Sequence, residues 1–315
     1  VPVHPSQASR FALLDGLTSF EAAMADPASR ARLDAFMSLG EAPPAPDVHV
    51  RDTVAPGPHG DVPVRVYSPA ADGTGRPGFV WMHGGAFRAG DLDMPEADRT
   101  AREVCARAGA VVVSVDYRLA VDGVTYPVPH DDVVAAVRWV RDEAAALGVD
   151  PARITVGGAS AGGNLATGAT LRLRDDEGWQ PAALVLAYTT THAVLPPASA
   201  ELTALMAEVP VLLRFPPAAR AGITRNYVGG AESRADGYAM PAGAVLTGLC
   251  PVVALTAEYD DLRVSAEHFT AALAVAGVDV RQVLLPGMLH GFLNLPATIG
   301  PVDRALALMS EVVAS

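Results

Sequence analysis

The sequence predicts an α/β fold in which helices cover both faces of a mostly parallel sheet. From about residue 48 onward, short runs rich in β-branched residues alternate with segments of helical periodicity, which is typical of such sheets. Two of these runs end in glycine-rich turns, and the second turn opens a helical stretch. With 315 residues, 50% of them hydrophobic, the chain can bury a large core, which excludes global disorder.

Eight of the apolar runs are predicted as strands. The first two flank the sequence Pro-Gly-Pro-His-Gly at residues 56–60, a turn signal that predicts an antiparallel hairpin at the sheet edge. Helices are predicted between later strands, for example over 131–147 and 266–276. The predicted strands cover residues 48–55, 62–68, 78–82, 110–116, 154–157, 183–188, 252–257 and 280–285.

The first forty residues lie outside this alternation and are predicted to form two helices. The second helix has Asp26 as its N-cap, Pro27 at its first position and Gly40 beyond its end. Aspartate and proline at the start of a helix and glycine beyond its end are the usual start and stop signals. The segment is too short for a core of its own, so we expect it to pack on the main domain.

A second segment, residues 189–243, is rich in proline, with helical pieces at 201–207 and 217–227. We expect both irregular segments to form one helical lid over the carboxyl ends of the strands, where open α/β sheets bind ligands. The predicted division is residues 1–45 for the first half of the lid, 46–190 for the first part of the core, 191–243 for the second half of the lid and 244–315 for the rest of the core.

Composition excludes several classes of function. A net charge of -12 argues against a nucleic-acid partner, which would need a basic surface. All 23 basic residues are arginines, which excludes lysine nucleophiles and Schiff bases. Cys105 and Cys250 lack zinc-site spacing and are predicted to be buried thiols. No apolar stretch is long enough to span a membrane, and residues 1–10 lack a signal-peptide pattern, so we expect a cytoplasmic protein.

An acidic string after the first glycine-rich turn raises the question of a metal site. It lacks the spacing of a calcium loop, and Pro95 within it marks the start of a helix, where acids favour the helix dipole. We therefore expect no metal and no other cofactor. The string consists of Asp91, Asp93, Glu96 and Asp98.

Residues 158–162, Gly-Ala-Ser-Ala-Gly, predict a nucleophile elbow at Ser160. Small neighbours let the chain turn sharply enough between strand and helix to expose the hydroxyl. The other glycine-rich turn, His-Gly-Gly-Ala-Phe at 83–87, would supply backbone donors to an oxyanion. We expect His83 to hold this turn by local hydrogen bonds, so that the Gly84 and Gly85 amides point at the oxyanion.

A serine nucleophile needs a base and an acid, which follow it along the chain in this type of sheet. The strand at 252–257 is followed by Glu258, Asp260 and Asp261, and position alone does not choose among these carboxylates. The last strand leads into a loop where glycines on both sides of His290 give its ring room to reach inward. Other histidines, such as His130 and His192, are expected to be structural.

These motifs together resemble the hormone-sensitive-lipase-like branch of the α/β-hydrolases, which includes bacterial carboxylesterases and arylacetamide deacetylases. The resemblance runs from about residue 62 to 291, and it fades in the lid. The sequence departs from the family pattern at three places. Ala86 replaces a third glycine, and Ala159, beside the nucleophile, replaces a frequent acid. Residues 261–265 differ from the usual proline and acidic pattern. The matching segments are 83–87, 116–120, 157–165, 257–260 with 262–263, and 287–292.

The resemblance implies an α/β-hydrolase fold and a serine hydrolase that cleaves short- to medium-chain carboxylic esters through an acyl-enzyme. It implies Ser160 as nucleophile, His290 as base and Asp260 as the acid of the triad. It also implies an oxyanion hole made by the amides of Gly84, Gly85 and Ala161. The implied partner is a small-molecule ester, and we expect a homodimer. Two alternatives use the same scaffold. One is a lyase or acyltransferase of secondary metabolism. The other is a non-catalytic ligand-binding receptor; the receptor of this family has lost the histidine of the triad, whereas His290 is present here.

Overall fold

Eight strands form one sheet in the computed structural model, which describes residues 1–37, 44–71 and 73–315. Gly40, predicted to follow a helix, lies outside the described residues. The order across the sheet is β1-β2-β4-β3-β5-β6-β7-β8. The strands are β1 (His49–Ala55), β2 (Val62–Ser68), β3 (Arg76–Met82), β4 (Val111–Val115), β5 (Val149–Ala159), β6 (Ala183–Ala187), β7 (Val252–Tyr259) and β8 (Val280–Leu289).

The predicted hairpin and parallel sheet are confirmed. Strands β1 and β2 pair antiparallel, β2 also pairs antiparallel with β4, and all other neighbours are parallel. The predicted ends at 257 and 285 are wrong, because β7 and β8 continue and pair again at Tyr259 and Leu289 beyond a register shift. This extension brings the predicted carboxylate and histidine segments side by side at the sheet edge.

Helices lie on both faces of the sheet. One core joins β2, β3 and β4 to helices that include Val137 and Leu165, and the other joins the opposite face to helices that include Val104 and Leu306. The α-helices are α1 (Pro5–Ala8), α2 (Phe20–Ala25), α3 (Pro27–Met37), α4 (Pro95–Ala108), α5 (Val128–Asp142), α6 (Ala144–Leu147), α7 (Ala161–Glu177), α8 (Ala200–Met206), α9 (Pro217–Val228), α10 (Arg263–Val275) and α11 (Gly300–Ala314).

The helices predicted in the first forty residues need one correction. Instead of two helices, the segment contains α1, α2, α3 and a 3-10 turn at Phe11–Leu14. Capping accounts for two of these starts: Ser19 accepts a hydrogen bond from the Ala22 amide at 3.1 Å, and Asp26 accepts one from Ser29 at 2.8 Å. The cap at Asp26 and the start of α3 at Pro27 are as predicted.

The two irregular segments contact each other through small apolar clusters. Leu14, Leu17 and Leu33 of the N-terminal segment pack against Leu212, which lies between β6 and β7. Val3 joins a second cluster with Leu202 and other residues of α8 and β7. We refer to residues 1–37 and 189–243 together as the lid. None of the described helices is both long and apolar enough to cross a membrane.

Candidate active site

Ser160 lies at a sharp corner between β5 and α7. Its φ of 51° is in the left-handed region, a strained conformation for a residue with a side chain. Two glycines make this corner possible. A Cβ on Gly158 would lie 2.3 Å from the backbone of Gly162, and a Cβ on Gly162 would lie 2.3 Å from the Met82 and His83 carbonyls. The tight packing explains the glycines of the predicted elbow.

A chain of hydrogen bonds links Ser160, His290 and Asp260. The distance from Ser160 Oγ to His290 Nε2 is 3.0 Å, and His290 Nδ1 lies 2.7 Å from Asp260 Oδ2. Asp260 is only 1% exposed and also accepts a hydrogen bond from the Leu262 amide at 2.8 Å. Residues at the ends of β5, β7 and β8 thus meet in the geometry required for a serine nucleophile, a base and an orienting acid.

The other two candidate carboxylates have different partners. Glu258 accepts a hydrogen bond from the Gly287 amide at 2.6 Å, which joins the ends of β7 and β8. Asp261 accepts one from the Phe215 amide at 2.7 Å, which ties the lid to the loop after β7. Of the three, Asp260 alone is hydrogen-bonded to His290.

Burial and charge act in opposite directions on His290. Burial by itself would lower the pKa of this imidazole, but the charge and hydrogen bond of Asp260 and the charge of Glu96 raise it above its ordinary value. The positive charge of Arg220 lowers it in part. Two rings also pack edge-on against the imidazole, Tyr188 at 5.0 Å and Phe215 of the lid at 4.9 Å between ring centroids.

The prediction that the Gly84 amide donates to the oxyanion is wrong, because this amide already donates a hydrogen bond to a side chain. The Gly84 N–H donates to Glu96 Oε1 at 2.6 Å and cannot also face an oxyanion. The next two residues turn through positive φ, 117° at Gly85 and 54° at Ala86. Within the described residues, no group accepts a hydrogen bond from the amides of Gly85, Ala86 or Ala161. Unlike the Gly84 amide, these three amides are therefore candidate donors to an oxyanion at Ser160.

Glu96 is a site residue that the sequence did not reveal. Its carboxylate, 2% exposed, accepts hydrogen bonds from the Gly84 amide and the Tyr188 hydroxyl, and lies 3.4 Å from Asn294 Nδ2. It therefore joins the turn at 83–87 to segments that follow β6 and β8. The sequence places Glu96 in the first turn of α4, where an exposed acid would look the same, so no local signal could separate the two roles.

His83 holds the turn as predicted. Its Nδ1 lies 2.7 Å from the Gly84 carbonyl oxygen, and its ring stacks on Tyr117 at 4.6 Å. The Tyr117 hydroxyl donates to the His83 carbonyl at 2.8 Å. The turn also contacts the lid, because Phe87 stacks on Tyr227 of α9 with 3.9 Å between the ring centroids.

The remaining sequence candidates have structural surroundings. Cys105 and Cys250 are buried free thiols, as predicted, and burial raises the pKa of each to about 12. His130 is fully buried, and burial lowers its pKa to about 4. Helix α4 begins at Pro95 as predicted, and Asp91 accepts hydrogen bonds from the amides just before it. The described residues contain no cluster of three or more histidine, cysteine or acidic side chains that could hold a metal ion.

Comparisons with known proteins show which family and which proteins this chain is similar to. A family model described as the alpha/beta hydrolase fold matches residues 79–294. Carboxylesterase NlhH of Mycobacterium tuberculosis is 38% identical over 262 residues, which is 80% of this chain and 79% of the relative. Ethyl acetate hydrolase of Pseudomonas putida is 30% identical, covering 80% and 78% of the two chains. A hyperthermophilic esterase from Pyrobaculum calidifontis superposes with a TM-score of 0.82 at 30% identity, covering 100% of this chain and 98% of the other.

Proposed function

This chain belongs to the α/β-hydrolase family, in its hormone-sensitive-lipase-like branch, and we propose that Ser160, His290 and Asp260 are the catalytic triad with which it hydrolyses carboxylic esters. Ester hydrolysis itself follows from the carboxylesterase relatives and the esterase structures. The observation that supports the triad is the continuous hydrogen-bond chain from Ser160 Oγ through the imidazole to the Asp260 carboxylate.

The reaction proceeds in two halves. In the first, Ser160 Oγ attacks the ester carbonyl carbon while His290 Nε2 takes the hydroxyl proton; the ester C–O bond then breaks, and the same proton passes to the leaving alcohol. In the second, His290 takes a proton from water, whose oxygen attacks the acyl-serine. Collapse of that intermediate releases the carboxylic acid and returns the proton to Ser160. Asp260 holds the imidazole in the required tautomer throughout.

The amides of Gly85, Ala86 and Ala161 stabilise the negative oxygen that forms in both halves. Within the described residues these amides have no acceptor of their own, whereas the Gly84 amide is held by Glu96. Such donors act at the point where charge develops, and removal of one typically reduces the rate about 10²- to 10³-fold.

We propose short- to medium-chain acyl esters as substrates. The rings of Phe215 and Tyr188 border the imidazole, and apolar lid residues pack against Tyr259 and Leu289, which precede Asp260 and His290 in the chain. These apolar surroundings favour a closed acyl pocket over an open lipid-binding surface. The relative named ethyl acetate hydrolase is by its name a short-ester enzyme. Each methylene buried in such a pocket contributes about 0.8 kcal/mol until the pocket ends.

A series of p-nitrophenyl esters of increasing acyl length tests this proposal. We expect kcat/KM to rise from acetate and then to fall sharply, with triolein emulsions hardly hydrolysed and no jump in rate at the lipid interface. Efficient turnover of triolein would show that the substrate class is wrong. Release of free acid in water, with no acyl transfer to added alcohols or amines at low concentration, separates hydrolysis from an acyltransferase.

A cytoplasmic location and a homodimer stay predictions of the sequence. The net charge of -12 supports the further expectation that nucleic acid is not a partner. Light scattering on the purified protein measures the oligomeric state, and a mass of two chains is the expected result.

A further inference from the structure

Arg220 of the lid helix α9 is a buried arginine with an incomplete set of partners. It is 3% exposed and donates hydrogen bonds to Thr190 Oγ1 at 2.7 Å, the His192 carbonyl at 2.6 Å and Thr224 Oγ1 at 3.1 Å. Its Nε is also buried, but no group in the described part of the chain accepts a hydrogen bond from it. The Nε donor of the guanidinium therefore has no partner in that part of the chain.

The charge of Arg220 is also unbalanced, as comparison with Arg263 shows. Both arginines are buried, but Arg263 lies 2.7 Å from Glu267 and 3.6 Å from Glu201. Among the residues that the structure describes, no carboxylate oxygen lies within 4 Å of the Arg220 guanidinium. Burial lowers the pKa of Arg220 to about 10, so the group remains charged at neutral pH. A buried charge without a counter-charge is costly to a fold, which favours a role outside the fold itself.

Arg220 lies on the lid side of the candidate active site. It is one helical turn beyond Phe215 and Pro216, and the ring of Phe215 packs against His290. Its partner Thr190 follows Tyr188, which packs on another side of the same imidazole. The Thr190 carbonyl accepts a hydrogen bond at 3.1 Å from Asn164, one turn into the helix that begins at the nucleophile. Arg220 is also close enough for its charge to lower the pKa of His290.

We propose that Arg220 binds a carboxylate of the substrate, so that the preferred esters carry a negative charge a few bonds from the scissile carbonyl. This inference rests on the proposed ester hydrolysis and specifies its substrate class. A guanidinium is suited to a carboxylate because its N–H groups form a planar fork that matches the two oxygens. The carboxylate would supply both the missing acceptor at Nε and the missing counter-charge.

The charge could be in the acid or the alcohol part of the ester, and pairs of esters matched in length distinguish the two. Monomethyl adipate is compared with methyl hexanoate for the acid part, and 4-acetoxybutanoate with butyl acetate for the alcohol part. Acid release is followed by pH-stat for the wild-type protein, Arg220→Met, Arg220→Lys and Arg225→Met. Arg225 is the matched control, since it is on the same helix but exposed.

We expect the wild-type protein to have a higher kcat/KM for the anionic ester of at least one pair. Arg220→Met should reduce that ratio about 10- to 150-fold, the range of a hydrogen bond to a charged group. Arg220→Lys should keep part of the preference, and Arg225→Met should keep all of it. If Arg220→Met does not fold, the ratios of wild type and Arg220→Lys decide the question.

Three results would overturn the inference. A wild-type preference for the neutral ester in both pairs would show that no carboxylate is accommodated. An unchanged ratio in a folded Arg220→Met variant would show that Arg220 acts only in the structure of the lid. Absence of hydrolysis with all four esters would overturn the proposed function as well, whereas hydrolysis of the neutral esters alone would leave that function standing.

Discussion

Two regions, the sheet edge that holds the candidate triad and the lid, are stabilised by different forces. At the edge, buried polar groups such as Asp260 and Glu96 are fixed by hydrogen bonds at 2.6–2.8 Å. The two halves of the lid are joined by small apolar clusters, and some of the large side chains of the lid are exposed, Phe20 by 50% and Met24 by 48%. Directional bonds fix atom positions, whereas apolar contacts tolerate rearrangement. The difference implies that edge substitutions change the rate and most lid substitutions change stability.

The largest effect is expected from Ser160→Ala, which removes the attacking oxygen. Loss of a triad nucleophile reduces kcat by about 10⁶-fold in a comparable enzyme, and the apolar alanine should leave the circular-dichroism spectrum unchanged. Mass spectrometry after reaction with a fluorophosphonate should find the label on Ser160 of the wild-type protein. A label on a different serine would show that the nucleophile is elsewhere.

Asp260→Asn should follow, with a loss of about 10⁴-fold in kcat, because the amide favours the wrong tautomer of His290. Asp261→Asn and Glu258→Gln serve as matched controls, since these carboxylates accept hydrogen bonds from the Phe215 and Gly287 amides instead. Their expected losses are below about tenfold, the effect of one weakened hydrogen bond. If Asp261→Asn reduced kcat as much as Asp260→Asn, the choice of acid would be wrong.

Glu96→Gln should have a smaller effect on the rate and a distinct effect on its pH dependence. Glutamine can still accept a hydrogen bond from the Gly84 amide, so we expect kcat to fall only about tenfold from misplacement of the turn. His290 acts as a base only when neutral, and the negative charge of Glu96 raises its pKa. The rise of kcat/KM with pH should therefore occur at lower pH in the variant.

The charges that act on His290 in this experiment are Asp260, Glu96 and the opposing Arg220. Asp98→Asn is the control, because Asp98 is in the same turn of α4 but bonds to Tyr67 and Arg102. It should leave the pH profile in place. A Glu96→Gln profile that coincides with that of the wild-type protein would restrict Glu96 to a structural role.

The smallest effect on the rate is expected in the lid, from Leu33→Ala. Leu33 is buried in the cluster with Leu212, and truncation of a buried leucine costs about 2–5 kcal/mol of unfolding free energy. We expect the free energy of unfolding measured in urea to fall by this amount, while kcat/KM changes by less than about threefold. Met37→Ala, at an exposed position, should change stability by no more than about 0.5 kcal/mol. A large loss of kcat in Leu33→Ala would show that the lid also positions the catalytic groups.

Most of the sheet could be predicted because strands, turns and caps depend on neighbouring residues. The eight strand positions, the hairpin at 56–60 and the start of α3 at Pro27 follow from periodicity and turn chemistry. Apart from the helices of the first forty residues, the errors occurred where distant segments meet. Strands β7 and β8 extend to Tyr259 and Leu289 because each supplies the other's partner, which no local pattern encodes.

The sequence by itself determined the order of strands along the chain, the corner at Ser160, the segment of three carboxylates that holds the candidate acid, and the position of the candidate base. These depend on side-chain size, backbone freedom and spacing, all local properties of a chain. Only the tertiary structure decided that the Gly84 amide is occupied, that Glu96 is buried and that Arg220 lacks a counter-charge. Each depends on atoms far apart in sequence, such as Glu96 and Asn294, because hydrogen bonding and desolvation are set by what the fold brings together.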